Sequence, residues 1–188
     1  LEPRLRSAYD DGIRAIAIVL MHGYRLTAHE EKIATLAKTI GFSQISTSNA
    51  TSPMIKFVGR GDTTVADAYL SPILCRYIDR LATDLDGSAQ TKLQMMQSNG
   101  GLTDATLFQG KDAILSGPAG GIVGAVKTSN QAGFDKVITF DMGGTSSDIS
   151  LIVDGDVTLS ADRSVAEEKI ALSSLDIVTL GAGGGSIA

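Results

Sequence analysis

The residues best suited to chemistry lie between Asp141 and Asp148, in the segment DMGGTSSD. This segment has an acid at each end, with two glycines and three hydroxyl side chains between them. Carboxylates can hold Mg²⁺ through water, whereas glycine amides and hydroxyls can bind phosphate oxygens. A plain hairpin needs only about two to five loop residues and no acids. The segment therefore predicts a nucleotide-phosphate site, with a structural turn capped by Asp and Ser side chains as the alternative.

A second glycine cluster runs from Gly181 to Ser186, and fifteen of the 21 glycines fall between residues 100 and 188. Because the cluster follows a predicted strand, it could open a helix whose free amides face a phosphate or the sugar of a nucleotide. It is not a Walker motif, since no Lys follows the glycines, and it fits a dinucleotide fingerprint only loosely. Ordinary tight turns are the alternative.

Two further glycine-flanked segments could contact a ligand. Ser98, Asn99 and Gly100 follow a predicted strand and could donate side-chain amide hydrogen bonds to a carbonyl-bearing substrate. Pro118 predicts the first turn of a helix, so Ser116 lies at its start. Either Ser116 contacts substrate there, or the backbone amides of residues 116–121 join the phosphate site. Close helix packing through the neighbouring glycines is the alternative for Ser116. No His lies in the second half of the sequence to activate a serine, which excludes a serine-hydrolase mechanism.

These segments must be positioned by two sets of elements. The first part of the chain predicts a strand over residues 13–20, a helix over 30–40 closed by Gly41, and a strand over 44–47. We expect residues 59–62 to form a turn or linker before a helix over 63–81, and we place a domain boundary near residue 58.

The second part predicts a strand over residues 92–97, a helix over 117–132 and an antiparallel meander. The strands of the meander are expected at residues 136–140, 148–153 and 156–159, with a two-residue hairpin at Asp154 and Gly155. A last strand over residues 177–180 leads into the glycine cluster.

Composition excludes several classes of protein. The formal net charge is −5 and no block of Lys and Arg is present, so nucleic acid is not an expected partner. No apolar run approaches the roughly 20 residues that span a bilayer, so no membrane role is expected. The lone Cys75 and two His give neither a disulfide nor a zinc cluster, which fits a reducing cytoplasm. The chain begins at Leu1 without a Met and stops directly after a glycine cluster, so we expect an internal piece of a longer protein.

Five segments together, in order and spacing, resemble the hydantoinase A and 5-oxoprolinase family, which includes ATP-using subunits of acetone and acetophenone carboxylases. The segments are residues 66–72 (ADAYLSP), 96–102 (MQSNGGL), 115–121 (LSGPAGG), 140–148 (FDMGGTSSD) and 181–186 (GAGGGS).

The resemblance implies an α/β fold of the actin-like ATPase type, with a ribonuclease-H-like lobe, a mixed sheet and part of the preceding lobe. Residues 1–58 would end the N-terminal hydantoinase/oxoprolinase lobe, and 59–188 would begin the catalytic domain. By this resemblance Asp141 would hold Mg²⁺ or help activate the attacking group, and Asp148 is the second candidate catalytic acid. Residues implied to contact the phosphates or lie near the nucleotide of ATP are Gly143, Gly144, Thr145, Ser146, Gly183, Gly184 and Gly185.

The activity implied is the opening of a hydantoin or 5-oxoproline ring, coupled to cleavage of ATP to ADP and phosphate. A hydantoinase B-type partner subunit or fused domain is implied as well. The family's first phosphate hairpin has no counterpart here, so the chain alone is expected to be inactive. Residues 66–69 and 108–110 look closer to 5-oxoprolinases, whereas 181–188 look closer to hydantoinases. The alternatives are a subunit of an acetone-type carboxylase, a small-molecule kinase, and a non-catalytic actin-like nucleotide-binding module.

Overall fold

The computed structural model describes residues 1–85, 92–161, 163–165 and 168–186. The helices are α1 (Glu2–Asp10), α2 (Ala28–Ile40), α3 (Ser48–Thr51), α4 (Phe57–Leu85) and α5 (Ser116–Ala132). The strands are β1 (Ala15–Ile18), β2 (Gln44–Thr47), β3 (Gln94–Met96), β4 (Leu102–Asp104), β5 (Lys136–Met142), β6 (Ser147–Val153), β7 (Asp156–Val157), β8 (Leu159–Ser160), β9 (Arg163–Val165), β10 (Glu168–Ile170), β11 (Ser174–Leu175) and β12 (Val178–Leu180).

The chain forms two compact units. Unit 1 comprises the described residues of Leu1–Leu93, Gln109–Lys111 and Asp162–Leu172. Unit 2 comprises Gln94–Phe108, Asp112–Ala161 and the described residues of Ser173–Ala188. Among the helices of the described residues, none has the length and apolar character needed to cross a membrane.

Unit 1 contains the predicted strand-helix-strand unit. Strands β1 and β2 pair in parallel, with α2 between them in the sequence. Gly41 ends α2 in the left-handed region at φ +118, a conformation that favours glycine, and its N–H donates to the carbonyls of Ala37 and Lys38. The buried Phe42 meets the ring of Tyr9 edge-on, with 5.5 Å between ring centroids. The prediction for this part of the chain is confirmed.

The expected turn at residues 59–62 was wrong, because these residues lie inside α4. Arg60 is fully buried there, and its guanidinium donates to the carbonyls of Leu20, Met21 and Met54 and to the hydroxyl of Ser48. Each helical glycine costs about 1 kcal/mol relative to Ala. The Arg60 hydrogen bonds offset this cost, and two of them are made to the carbonyls of Leu20 and Met21, which lie 40 and 39 residues earlier in the sequence.

Unit 2 contains an antiparallel sheet in the order β12, β6, β5, with β7 also paired to β6. The predicted meander and its hairpin are confirmed: Asp154 and Gly155 have φ of +55 and +80, as a type I′ turn requires. The expected strand over residues 156–159 is instead two short strands, because β7 pairs with β6 whereas β8 pairs with β11. Helix α5 contacts β5 and β6. The buried core of this unit is formed by Ala119, Ile122, Leu175 and Ile177.

Candidate phosphate and metal site

The hairpin between β5 and β6 is tighter than the sequence suggested. Asp141 pairs directly with Asp148, and Met142 with Ser147, so the ladder continues past both acids. This leaves residues 143–146 as the loop, closed by a 2.8 Å hydrogen bond from the Gly143 N–H to the Ser146 carbonyl. The predicted strand over residues 136–140 extends two residues further, to Met142, so that Asp141 lies in β5. Asp148 lies in β6, within the predicted strand over residues 148–153.

The two acids share one face of the sheet and line the same cavity. Residues directly opposite on antiparallel strands have Cβ atoms about 4.5–5.5 Å apart on the same face. Asp141 and Asp148 border a cavity of about 520 Å³, whose other wall includes Gly121 of α5. A Cβ at Gly121 would lie 3.7 Å from Oδ2 of Asp141, so the helix approaches this carboxylate closely.

This acid pair fits a divalent cation. Like charges placed directly opposite each other destabilise a sheet, and a cation between them would relieve that repulsion. Across the described ranges, no group of three or more His, Cys, Asp or Glu side chains is placed to hold a metal. Mg²⁺ is commonly held by one or two carboxylates, with water and phosphate oxygens as its other ligands. Asp141 and Asp148 match that ligand set.

The structure brings the two glycine clusters together. The N–H of Gly184 donates to the Gly143 carbonyl at 2.9 Å, and the N–H of Gly185 donates to the Gly144 carbonyl at 2.8 Å. Gly183 fits against the hairpin so closely that a Cβ would lie 2.7 Å from the Gly143 oxygen. The amides of Gly184 and Gly185, which we expected to face a ligand, are therefore used to hold the hairpin.

The candidate substrate residues also have structural partners. Ser98 is buried, and its hydroxyl donates to the Asp112 carbonyl at 2.7 Å and accepts from the Leu115 N–H at 3.1 Å. The Asn99 side-chain oxygen accepts from the Gly101 N–H at 2.8 Å.

Gly100 adopts a positive φ of +84, and the half-buried Ser116 is the first residue of α5. These contacts account for Ser98, Asn99 and Gly100 structurally, and the substrate role of all four residues stays a prediction.

One residue of the site was missed by the sequence reasoning. Thr179 pairs with Asp148 across β12 and β6, and its hydroxyl donates to Oδ1 of Asp148 at 2.6 Å. The pairing joins residues 31 positions apart. The available sequence signal for Thr179 was its place in the predicted strand over residues 177–180, two residues before Gly181.

Comparison with known proteins identifies the family. The Hydantoinase/oxoprolinase family model matches residues 60–188, which is more than half of the chain. The model for the Hydantoinase/oxoprolinase N-terminal region matches residues 1–41. The chain therefore belongs to the hydantoinase/oxoprolinase family, and the resemblance drawn from the sequence is confirmed.

The sequence of one curated relative agrees with this assignment. The chain is 43% identical over 188 residues to a 5-oxoprolinase of Saccharomyces cerevisiae, matching 97% of this chain and 14% of that protein. It thus spans about a seventh of the length of that relative.

Two solved structures share the fold. The crystal structure of an ATP-dependent caprolactamase from Pseudomonas jessenii has a TM-score of 0.83 and 33% identity, covering 100% of this chain and 28% of that one. A nucleotide-free acetone carboxylase structure has a TM-score of 0.85 at 23% identity, covering 97% of this chain and 26% of that one. The predicted α/β fold class is confirmed.

Proposed function

We propose that this chain is part of an enzyme that opens a small cyclic amide with cleavage of ATP to ADP and phosphate. The observation that carries the proposal is the acid pair Asp141 and Asp148, which lies beside two glycine loops that are hydrogen-bonded to each other. Paired carboxylates next to glycine-rich backbone suit a metal-bound polyphosphate. The names of the two relatives, a 5-oxoprolinase and an ATP-dependent caprolactamase, support the choice of a cyclic amide.

In this proposal each part of the site has a defined role. Asp141 and Asp148 hold Mg²⁺, and Asp141 also orients the attacking group. The hydroxyls of Thr145 and Ser146, at the tip of the hairpin, contact phosphate together with the backbone of Gly143 and Gly144. ATP, when bound, supplies the phosphoryl group that activates the amide oxygen so that water can attack the ring carbon.

The second glycine loop has a supporting role. The segment Gly183 to Gly185 keeps the hairpin in place through the hydrogen bonds from Gly184 and Gly185. The same segment would lie beside the nucleotide when it is bound. Ser98, Asn99, Gly100 and Ser116 remain the proposed contacts to the substrate.

The first test measures ADP release by the full-length gene product, with Mg-ATP and 5-oxoproline, hydantoin, methylhydantoin or caprolactam in turn. We expect one cyclic amide to stimulate ADP release, with ring-opened product formed in matching amount. ATP binding without stimulation by any cyclic amide would contradict the proposal and favour the carboxylase, kinase or regulatory alternative.

A variant tests the role of Asp141. Because Asp141→Asn removes one of two charges facing the metal, we expect the rate of ATP cleavage to fall about 100-fold or more. The control is Asp156→Asn, which changes an exposed acid of β7 in the same unit. Equal rates for the two variants would exclude a metal or catalytic role for Asp141.

We also propose a domain boundary near residue 58, between the two predicted domains, residues 1–58 and 59–188. The match to the N-terminal region ends at residue 41, and the second family match begins at residue 60. The gap between them supports this boundary. Residue 58 is the second residue of α4, and unit 1 continues beyond it to Leu93.

The proposal also includes a partner and a location. The partner is a hydantoinase B-type subunit or fused domain, and the location is cytoplasmic.

A further inference from the structure

Three polar side chains form a row across the sheet of unit 2. Asp141 on β5 pairs with Asp148 on β6, and Asp148 pairs with Thr179 on β12. Because directly opposite residues of antiparallel strands share a face, the Thr179 side chain lies on the same side of the sheet as the two acids. We name these residues the Asp-Asp-Thr row.

The two acids of the row are not equivalent. Asp141 is exposed, at the edge strand of this part of the sheet. Asp148 is half-buried in the central strand, and its Oδ1 accepts the 2.6 Å hydrogen bond from the Thr179 hydroxyl. Thr179 itself is exposed, and the 2.6 Å length lies at the short end of the range for hydroxyl-to-carboxylate hydrogen bonds.

This hydrogen bond fixes the orientation of one carboxylate. The terminal torsion of an Asp side chain is broad and roughly two-fold, so an unconstrained carboxylate samples many orientations. When Thr179 donates to Oδ1 of Asp148, it selects one of these orientations, and the hydrogen bond does not involve Oδ2. Outer residues that orient a metal-binding carboxylate in this way contribute strongly to metal affinity.

We propose that Thr179 is the positioning residue of Asp148, and that it sets the affinity of the acid pair for a divalent cation. This inference rests on the proposed metal role of Asp141 and Asp148. Thr179 makes no contact with the cation and acts only through the orientation of the Asp148 carboxylate.

The test measures Mn²⁺ binding to the full-length gene product in the presence of ADP, by electron paramagnetic resonance, alongside thermal unfolding. Thr179→Val keeps the shape of the side chain and its suitability for a strand but removes the hydroxyl. We expect it to weaken Mn²⁺ binding about 10-fold or more. Thr179→Ser, which retains the donor, is expected to restore most of the affinity. The control Thr158→Val alters an exposed threonine between β7 and β8 and is expected to bind Mn²⁺ as the wild type does.

Wild-type Mn²⁺ affinity in Thr179→Val would overturn the inference while leaving the acid pair intact as a metal site. An equal loss in Thr179→Val and Thr179→Ser would also overturn it, because the hydroxyl would then not be the active group. Absence of Mn²⁺ binding by the wild-type protein would overturn the proposed metal site, and this inference with it. The Thr179 inference stands if affinity falls in Thr179→Val alone, with unchanged thermal unfolding.

Discussion

Replacement of Gly183 by Ala tests whether the two glycine loops act as one unit. A Cβ at this position would lie 2.7 Å from the Gly143 oxygen, 2.7 Å from the Thr145 nitrogen and 2.8 Å from the Gly144 carbonyl carbon. All three are backbone atoms, so no side-chain rotation can relieve the overlap. The hairpin or the second loop must therefore move.

The size of the effect follows from these contacts. Inserting an extra carbon into well-packed structure costs about 1–3 kcal/mol. The movement also weakens the hydrogen bonds from Gly184 and Gly185, each worth about 0.5–1.5 kcal/mol. If the ligand requires the original hairpin, the packing cost alone lowers nucleotide affinity about 5- to 150-fold, at 1.4 kcal/mol per tenfold change.

The assay is calorimetric titration of Mg-ADP into the full-length gene product. Gly181→Ala is the matched control, because a Cβ there meets nothing within 4 Å and Gly181 is not among the residues proposed to lie beside the nucleotide. Neither glycine has a positive φ, so both variants keep an allowed backbone. Equal nucleotide affinity for the two variants would refute the view that close packing at Gly183 maintains the hairpin.

Two further predictions concern unit 1. Arg60→Leu should lower the free energy of unfolding by about 3–5 kcal/mol, because it removes the four hydrogen bonds of a fully buried guanidinium. In chemical denaturation, the control Arg6→Ala should cost under about 1 kcal/mol, because it breaks only an exposed ion pair; equal losses would argue against the buried network. Gly110→Ala should increase amide hydrogen exchange at residues 109–111, since its Cβ would lie 2.6 Å from the Ser71 nitrogen. The control Gly117→Ala, whose Cβ would meet nothing within 4 Å, should leave that exchange unchanged. The same exchange rates in both variants would contradict the close packing at Gly110.

Local patterns were sufficient where the interactions that decide the structure are local. The strand-helix-strand unit was predictable because the apolar spacing of its elements and the cap at Gly41 involve neighbouring residues. Its parallel pairing then follows from the connection, since a strand joined to the next by a helix normally pairs with it in parallel. The hairpin at Asp154 and Gly155 was predictable for the same reason, since its turn residues select the turn type.

Distant contacts decided the rest. The start of α4 could not be predicted, because Arg60 is held by carbonyls up to 40 residues away that offset the cost of two helical glycines. Thr179 was missed because strand pairing between β6 and β12 cannot be read from either strand alone. The acids and glycines of the site were predicted from residue types alone. The close packing of Gly183 could not be predicted, because it depends on contact with the backbone of Gly143, about 40 residues earlier in the sequence.

The discontinuity of unit 1 has a consequence for the synthesis of the protein. The Ala171 N–H donates to the Thr63 hydroxyl at 2.8 Å, and the Ser52 hydroxyl donates to the Ala171 carbonyl at 3.3 Å. A ribosome adding about 5–20 residues per second needs roughly 4–16 s to make the chain between Leu93 and Leu172. During that interval α4 lacks the packing of β10, so the part of α4 that β10 covers in the finished unit stays uncovered on the nascent chain.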